Sequence, residues 1–250
     1  MFRKSQHWYD LVYEEQGKDY LEEARTLERI FAGHGIDAGV LGHRPRWLDV
    51  ACGTARHLSH LPDFERVGTD LDPGMLELAK ERCPGVAFVE ADMRHPAIHE
   101  GREQGIPASF DVVTCLFSAI AYMLDESALA EAVRAMAGHL APGGLLVVEP
   151  FLAPADVRPN RPWMTVVDRP EIKIARMDVP EVDGRMLSLE FQYLVSTSEG
   201  VAHEIERHEV GLFTVEEIGA AFEQAGLEWT FDEAGLDARR GLHLGRRPLG

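Results

Sequence analysis

The stretch Asp49-Val50-Ala51-Cys52-Gly53-Thr54-Ala55 decides the fold of this 250-residue chain. It follows a short apolar run, Trp47-Leu48, and precedes a segment of helical character. An acid at a strand end, then a tight turn of small residues, lets backbone come close to a ligand. Seventeen positions after Gly53 stands Asp70, which closes a second short strand, Val67-Gly68-Thr69-Asp70. A carboxylate there can accept both hydroxyls of a ribose. A dinucleotide turn needs three glycines at G-x-G-x-x-G spacing to approach a pyrophosphate. Here Gly53 stands alone, with Ala51 and Ala55 where other glycines would sit. That disfavours a pyrophosphate and points to S-adenosylmethionine, a nucleoside cofactor without phosphate.

Outward from this turn, strands and helices alternate. Strands are expected at 46–51, 66–70, 86–90, 110–115 and 144–149, with helices near 55–61, 74–82 and 126–140. Pro73 suits the first turn of its helix, Asp72 its cap, and Asp125 the cap of the long one. Pro142-Gly143-Gly144 is expected to stop that helix. An earlier helix is expected over 17–34, from the spacing of Tyr20, Leu21, Ala24, Leu27, Ile30 and Phe31. Such alternation means an α/β fold, a mostly parallel sheet covered on both faces.

After Glu149 the pattern changes. Five prolines between 150 and 170 mark an irregular crossing segment. Runs at 171–179, 185–197 and 201–213, separated by Asp183-Gly184 and Glu199-Gly200, predict an antiparallel meander. Thr214-x-x-Glu217 opens a last helix, 214–225, as a capping box. Strands near 227–233 and 240–246 are expected to complete the main sheet. The expected organisation is a cofactor-binding α/β core with an N-terminal helical cap (1–150), an inserted meander serving as substrate lid or homodimer surface (151–213), and a closing helix with strands (214–250).

The net charge is −17, which argues against a nucleic-acid partner. Cys52, Cys83 and Cys115 lack CxxC spacing, and an odd count suits a reducing, cytoplasmic compartment. The N-terminus has no hydrophobic signal core, and no apolar run approaches the ~20 residues of a membrane span. His203 and His208, five apart on an extended segment, face opposite sides and are not read as metal ligands.

Two further constellations carry chemistry. Asp92, after the strand ending at Glu90, can accept from an adenine amine while Met93 packs on the ring. Cys115-Leu116-Phe117-Ser118-Ala119-Ile120-Ala121-Tyr122 follows the fourth strand, and in open α/β sheets ligands bind outside the carboxyl ends of strands. Phe117, Ser118 and Tyr122 therefore belong near a reacting centre. Tyr122 could hold a nucleophilic amine or take its proton through water. Leu71, Met75 and Leu116 join the expected cofactor-binding residues.

The ordered set of Asp49–Gly53 turn, Asp70, Asp92-Met93 and Pro142-Gly143-Gly144 resembles class I S-adenosylmethionine-dependent methyltransferases. A narrower resemblance covers almost the whole chain. Tyr9-Asp10-Leu11-Val12, Gly17-Lys18-Asp19-Tyr20, Leu48–Thr54, Asp92-Met93-Arg94, His139–Gly144, Val147-Val148-Glu149-Pro150, Tyr193-Leu194-Val195, Leu212-Phe213-Thr214 and Arg240-Gly241-Leu242 resemble the nucleotide-linked aminosugar N,N-dimethyltransferases of macrolide pathways. The resemblance implies that Tyr9 and Tyr20 close over the cofactor, that Arg240 meets a diphosphate, and that Tyr122 sits beside the substrate amine. Glu149, Ser118 and Arg161 join Tyr122 and Arg240 as expected substrate-binding residues. The family often has two tryptophans after the Glu-Pro of the fifth strand, and Phe151-Leu152 stand there instead. Phe2 is the nearest aromatic to an N-terminal tyrosine of the family.

The reaction so implied is N-methylation, once or twice, of a thymidine-diphosphate-linked aminosugar. Alternatives are methyl transfer to another small amine, carboxylate or hydroxyl, and a cofactor-binding protein without transfer activity. Arg158, Arg161, Arg169, Lys173, Arg176, Arg239 and Arg240 are the cations available to gather round a diphosphate, with Arg240 foremost.

Overall fold

The computed structural model describes residues 6–95, 98 and 106–249; Phe2 lies outside them. Two sheets share the chain. The larger contains β1 (Arg46–Val50), β2 (Glu65–Asp70), β3 (Ala87–Glu90), β4 (Phe110–Cys115), β5 (Leu140–Val148), β11 (Glu228–Asp232) and β12 (Leu242–Arg246). Its spatial order is β11-β12-β5-β4-β1-β2-β3. The β3-β2-β1-β4-β5 run is parallel, while β12 runs antiparallel to both β5 and β11. This is the expected seven-stranded, mostly parallel sheet. The order reverses between β1 and β4, so a crevice opens there at the strands' carboxyl ends.

Helices α2 (Tyr20–Gly33), α4 (Arg56–His60) and α5 (Pro73–Arg82) cover one face, and α6 (Glu126–Gly138) and α7 (Val215–Gln224) the other. Each apolar stripe closes a separate core: Phe31, Trp47, Leu58 and Phe64 on one side, Phe110, Leu129, Met136 and Phe222 on the other. The caps follow the sequence. Asp72 accepts from Gly74 N–H, Asp125 from Ala128 N–H, and Thr214 with Glu217 forms the full capping box.

Several boundaries move. The 17–34 helix begins at Tyr20, because Asp19 caps it by accepting from Glu22 N–H. The long helix ends at Gly138 rather than 140, and Pro142-Gly143-Gly144 lies inside β5 instead of stopping a helix. There the register against β4 shifts, so the residues form a bulge, with Gly143 at φ +75°. Sequence reading leaves four helices and strands unassigned: α1 (Tyr9–Glu15), the single turn α3 (Ala38–Leu41), β8 (Glu181–Asp183), and β6 (Trp163–Asp168), which stands in the segment expected to be irregular. β6 is an edge strand, where flanking prolines cost no ladder bonds.

The second sheet is β10-β9-β7-β6, made of β6, β7 (Lys173–Asp178), β9 (Met186–Thr197) and β10 (Gly200–Gly211), with β8 (Glu181–Asp183) paired to β9. All its pairs are antiparallel, as expected for the insertion. Val12 of α1 packs on Val167, Ile174, Phe191, Tyr193 and Val195 of its inner face. Gln16 donates to Thr165 Oγ1 at 2.7 Å, and Arg169 pairs with Glu15 at 2.8 Å. The N-terminal cap and the insertion thus form one layer. Leu187, Val210 and Leu212 pack with Ala121 and Val157, which joins that layer to the main domain.

A buried acid sits in β1 at Asp49. It is 2% exposed, and Thr114 Oγ1 donates to it at 2.6 Å while itself accepting from Trp47 Nε1 at 2.8 Å. Burial pushes the carboxyl up to about 6, against smaller opposing contributions from His57 and Thr114. Folding therefore favours the protonated form. Its contribution to stability is complete below the ordinary carboxylate range and is lost as pH rises through about 6. The two-unit shift corresponds to about 3 kcal/mol. Asp49→Asn, which can still accept from Thr114, is expected to gain stability relative to wild type between pH 4 and 7.5. Urea midpoints at both pH values check this; parallel curves for the two proteins would refute it.

Candidate active site

Two loops at the carboxyl ends of β1 and β4 flank the crevice. In the first, Ala51, Gly53 and Ala55 all adopt left-handed backbone, with φ of 56°, 54° and 59°. The alanines that stand in place of glycines take glycine geometry nonetheless. In the second, Phe117 and Ser118 do the same, at 52° and 63°. Only one other non-glycine among the described residues has positive φ. Each costs about 1–2 kcal/mol, so the strain collects where the chain bends round the crevice.

Hydrogen bonds hold this strain in place. Gly53 N–H donates to Asp70 Oδ2 at 2.8 Å, and Asp72 N–H donates to Asp70 Oδ1 at 2.9 Å. Burial raises the Asp70 carboxyl, and these backbone donors oppose the rise. Glu149, fully buried at the end of β5, accepts from Phe117 N–H at 2.6 Å and from Arg240 at 3.3 Å. Ser118 Oγ donates to the Pro150 carbonyl at 2.9 Å. Each loop is therefore tied to the neighbouring strand end by one acid, half-buried at Asp70 and fully buried at Glu149.

The Phe117 ring is the floor of the crevice. Tyr13 meets it edge-on at 4.7 Å and Tyr9 at 6.4 Å, both from α1. Lys18 Nζ lies 4.0 Å from its centroid, and the Arg240 guanidinium 5.5 Å. Lys18 also pairs with Glu23 at 2.7 Å, and Glu23 with His57 at 2.8 Å. Asp10 fastens α1 across the first loop: it accepts from Thr54 Oγ1 at 2.9 Å and pairs with Arg82 at 2.7 Å. Sequence reading gives Tyr13 no role, and takes Asp10 and Lys18 only as parts of the Tyr9–Val12 and Gly17–Tyr20 segments. Tyr13 follows Tyr9 by four positions, one helical turn, and that spacing was the available signal.

The other expected residues fall as follows. Tyr20 is buried against His57, and its hydroxyl has no partner. Leu71 is 44% exposed beside Asp70, while Met75 and Leu116 are buried beneath the loops. Asp92 is held by the Arg94 guanidinium at 2.6 and 3.1 Å, which lowers its carboxyl, and Met93 packs on the core. Tyr122 is 37% exposed and shares a 2.9 Å hydrogen bond with His208 Nδ1. Arg161 lies outside this group, exposed, with its guanidinium over Trp163. Arg239 is clamped on Asp237, whose carboxyl it lowers to about 2. Phe151 and Leu152, which replace the family's tryptophans, pack on Ala121, Val157 and Leu187.

The residues fit S-adenosylmethionine. A Cβ added to Gly53 would meet nothing within 4 Å, so the turn faces open space, with Asp70 at its edge and Leu71 bare beside it. An unpartnered buried hydroxyl belongs to Tyr20, whose ring packs on His57 of α4, the helix that follows the same turn. A reversed-order parallel sheet with this turn, a strand-end acid and an aromatic-floored crevice defines a class I S-adenosylmethionine-dependent methyltransferase.

Comparison with known proteins narrows the class. The family model described as "Methyltransferase domain" matches residues 48–144. The dTDP-3-amino-3,6-dideoxy-alpha-D-glucopyranose N,N-dimethyltransferase of Streptomyces fradiae is 35% identical over 95% of this chain and 88% of its own. The crystal structure of Streptomyces venezuelae DesVI superposes with a TM-score of 0.84 at 32% identity, covering 96% of each chain. S-adenosylmethionine-bound CalS10, an amino pentose methyltransferase from Micromonospora echinaspora, gives 0.80 at 33%, again over 96% of each. The chain belongs to this family of aminosugar N,N-dimethyltransferases.

Removing the Asp70 carboxylate deletes the acceptor of the Gly53 N–H and, on the expectation from sequence, that of the ribose. Asp70→Ala is expected to weaken S-adenosylmethionine binding at least 10-fold by calorimetry. Wild-type affinity would refute its role.

Proposed function

We propose that this protein transfers methyl groups from S-adenosylmethionine to the amine of a thymidine-diphosphate-linked aminodeoxysugar, twice in succession. The observation that carries this reading is the place of Arg240. In a chain of net charge −17, this guanidinium stands against the Phe117 ring, held by Glu149. Beside it is a cavity of about 260 Å³ with Phe151, Phe213 and Phe231 in its walls. A planar cation next to an aromatic-walled cavity suits a diphosphate followed by a pyrimidine base.

The cofactor, when bound, supplies a methyl already activated by its sulfonium. What remains for the protein is alignment and a neutral amine. Alignment of nitrogen, methyl and sulfur can supply roughly 7–11 kcal/mol of the barrier. Phe117, Tyr9 and Tyr13 keep water from the crevice, and a dry site near a positive sulfonium lowers an amine's pKa. Tyr122 orients the amine through its hydroxyl. At neutral pH a phenol keeps its proton, so it acts as a neutral group. Ser118 and Glu149 shape the sugar site from beneath, and Asp92 with Met93 borders the adenine.

We further propose that two copies associate through the outer face of the second sheet. Met164, Val166, Met177, Leu194, Val201 and Ile205 stand exposed on that face, an apolar patch that a second copy would cover. A reducing, cytoplasmic location is proposed from the three free thiols. Among the described residues, no helix is long and apolar enough to cross a membrane.

Mass spectrometry of products from a panel of thymidine-diphosphate 3- and 4-aminosugars tests the function. A gain of one and then two methyls on one sugar is expected. Methylation of free amines, carboxylates or phenols alone would overturn the reading. Arg240→Ala is expected to raise KM for the nucleotide-sugar about 10-fold and leave cofactor affinity near wild type. An unchanged KM would move the diphosphate elsewhere.

A further inference from the structure

The second sheet buries charge on its inner face. Arg176, Asp178, Glu206 and His208 are each less than a tenth exposed, while the outer face carries the apolar patch. Strand parity explains which histidine is inside. His203 faces outward, where it meets Gln192 at 2.7 Å, and His208 faces inward at 3% exposure. His208 Nδ1 is 2.9 Å from the Tyr122 hydroxyl, and its Nε2 is 3.9 Å from Glu206 Oε2. Phe191 packs on the imidazole at 5.3 Å. A line of titratable groups therefore runs from the crevice into the sheet.

We propose that His208, acting through Tyr122 and backed by Glu206, is the relay that removes the proton from the substrate amine between the two methyl transfers. The inference rests on the N-methyl transfer reading above. Each transfer leaves nitrogen as an ammonium, which has no lone pair for the next. The ammonium N–H proton moves to Tyr122 Oη as the phenol's own proton moves to His208 Nδ1. Tyr122 ends as it began, a neutral phenol, and the amine regains its lone pair. His208 becomes an imidazolium whose Nε2–H faces the Glu206 carboxylate. No oxidant or co-reactant is needed. His208 also lines a groove of about 630 Å³ with Asp178 and Glu209, which gives the proton an outlet away from the crevice.

The other charged and titratable groups around this line include Tyr9 and Tyr13 of α1, Asp70 of β2, Arg176 and Asp178 of β7, and Tyr193 of β9. The Arg176 guanidinium lies over Tyr13 and Phe191, at 5.3 and 4.5 Å. It opposes an imidazolium, and Glu206 counters it. This arrangement suits a histidine that takes a proton briefly and passes it on.

His208 is a positioning residue, since it meets the amine only through Tyr122, so its test must separate proton traffic from packing. His208→Gln keeps a hydrogen-bonding side chain but cannot carry a proton. At pH 7 its rate of dimethyl product formation is expected to fall about 10-fold, with monomethyl product accumulating. The loss should shrink as pH rises to 9 and the amine sheds its proton unaided. Cofactor affinity and thermal midpoint should stay near wild type. A pH–rate profile superimposable on wild type would overturn the relay. So would an equal loss at every pH, which marks a packing defect. Should the wild type methylate no amine, the proposed function fails. The relay is then judged by nitrogen NMR of His208: Tyr122→Phe is expected to move the Nδ1 resonance, and an unmoved resonance would overturn it.

Discussion

One carboxylate holds the cofactor crevice in shape. Asp70 accepts from Gly53 N–H with one oxygen and from Asp72 N–H with the other, so the turns after β1 and β2 are locked to one group. The turn after β1 carries two alanines in left-handed backbone, a conformation that local preferences oppose. Without an acceptor at Asp70, the turn would relax and its open face would close. Glu149 repeats the device one strand pair away, where it holds the left-handed Phe117 and reaches Arg240. Strain at both loops persists because an acid at a strand end overdetermines each.

The second sheet buries charge within an apolar layer. Its inner face packs Val167, Ile174, Phe191, Tyr193 and Val195, with Arg176, Asp178, Glu206 and His208 buried among them, while its outer face mixes exposed apolar side chains with Glu190, His203 and Arg207. The inner face lies over a crevice that handles a cation and an amine, and polar groups there are useful only when dry and paired. α1 completes the enclosure, anchored by Asp10 on Thr54 and Arg82 and by Val12 in the sheet's own cluster. Cap, insertion and core thereby act on one site although they are far apart in the chain.

Much of the core was legible because its signals are local. The strand–helix alternation, the caps at Asp72, Asp125 and Thr214, and the turn signals of the insertion all express short-range preferences. The misses share a cause. β6 was hidden because prolines flank it, and prolines are tolerated at an edge strand that only pairing reveals. Pro142-Gly143-Gly144 reads locally as a stop, yet the register of β4 against β5 turns it into a bulge. Arg239 and Arg240 are indistinguishable as neighbouring cations. Only the fold clamps Arg239 on Asp237 and sets Arg240 against Glu149 and Phe117.

The linear order of residues was enough to determine the cofactor class, since the turn at 49–55 and the acid at 70 sit at spacings set by one strand–helix–strand unit. It also determined the kind of sheet, because period-2 and period-3.6 patterns are properties of the chain itself. The floor of the crevice was decided only by tertiary structure: Phe117, Tyr13, Lys18 and Arg240 come from four separate places and meet through non-local packing. The pairing of Tyr122 with His208 was decided in the same way, 86 residues apart, by a sheet folded back over the core. Local preferences act over a few residues, whereas such meetings depend on how whole layers dock.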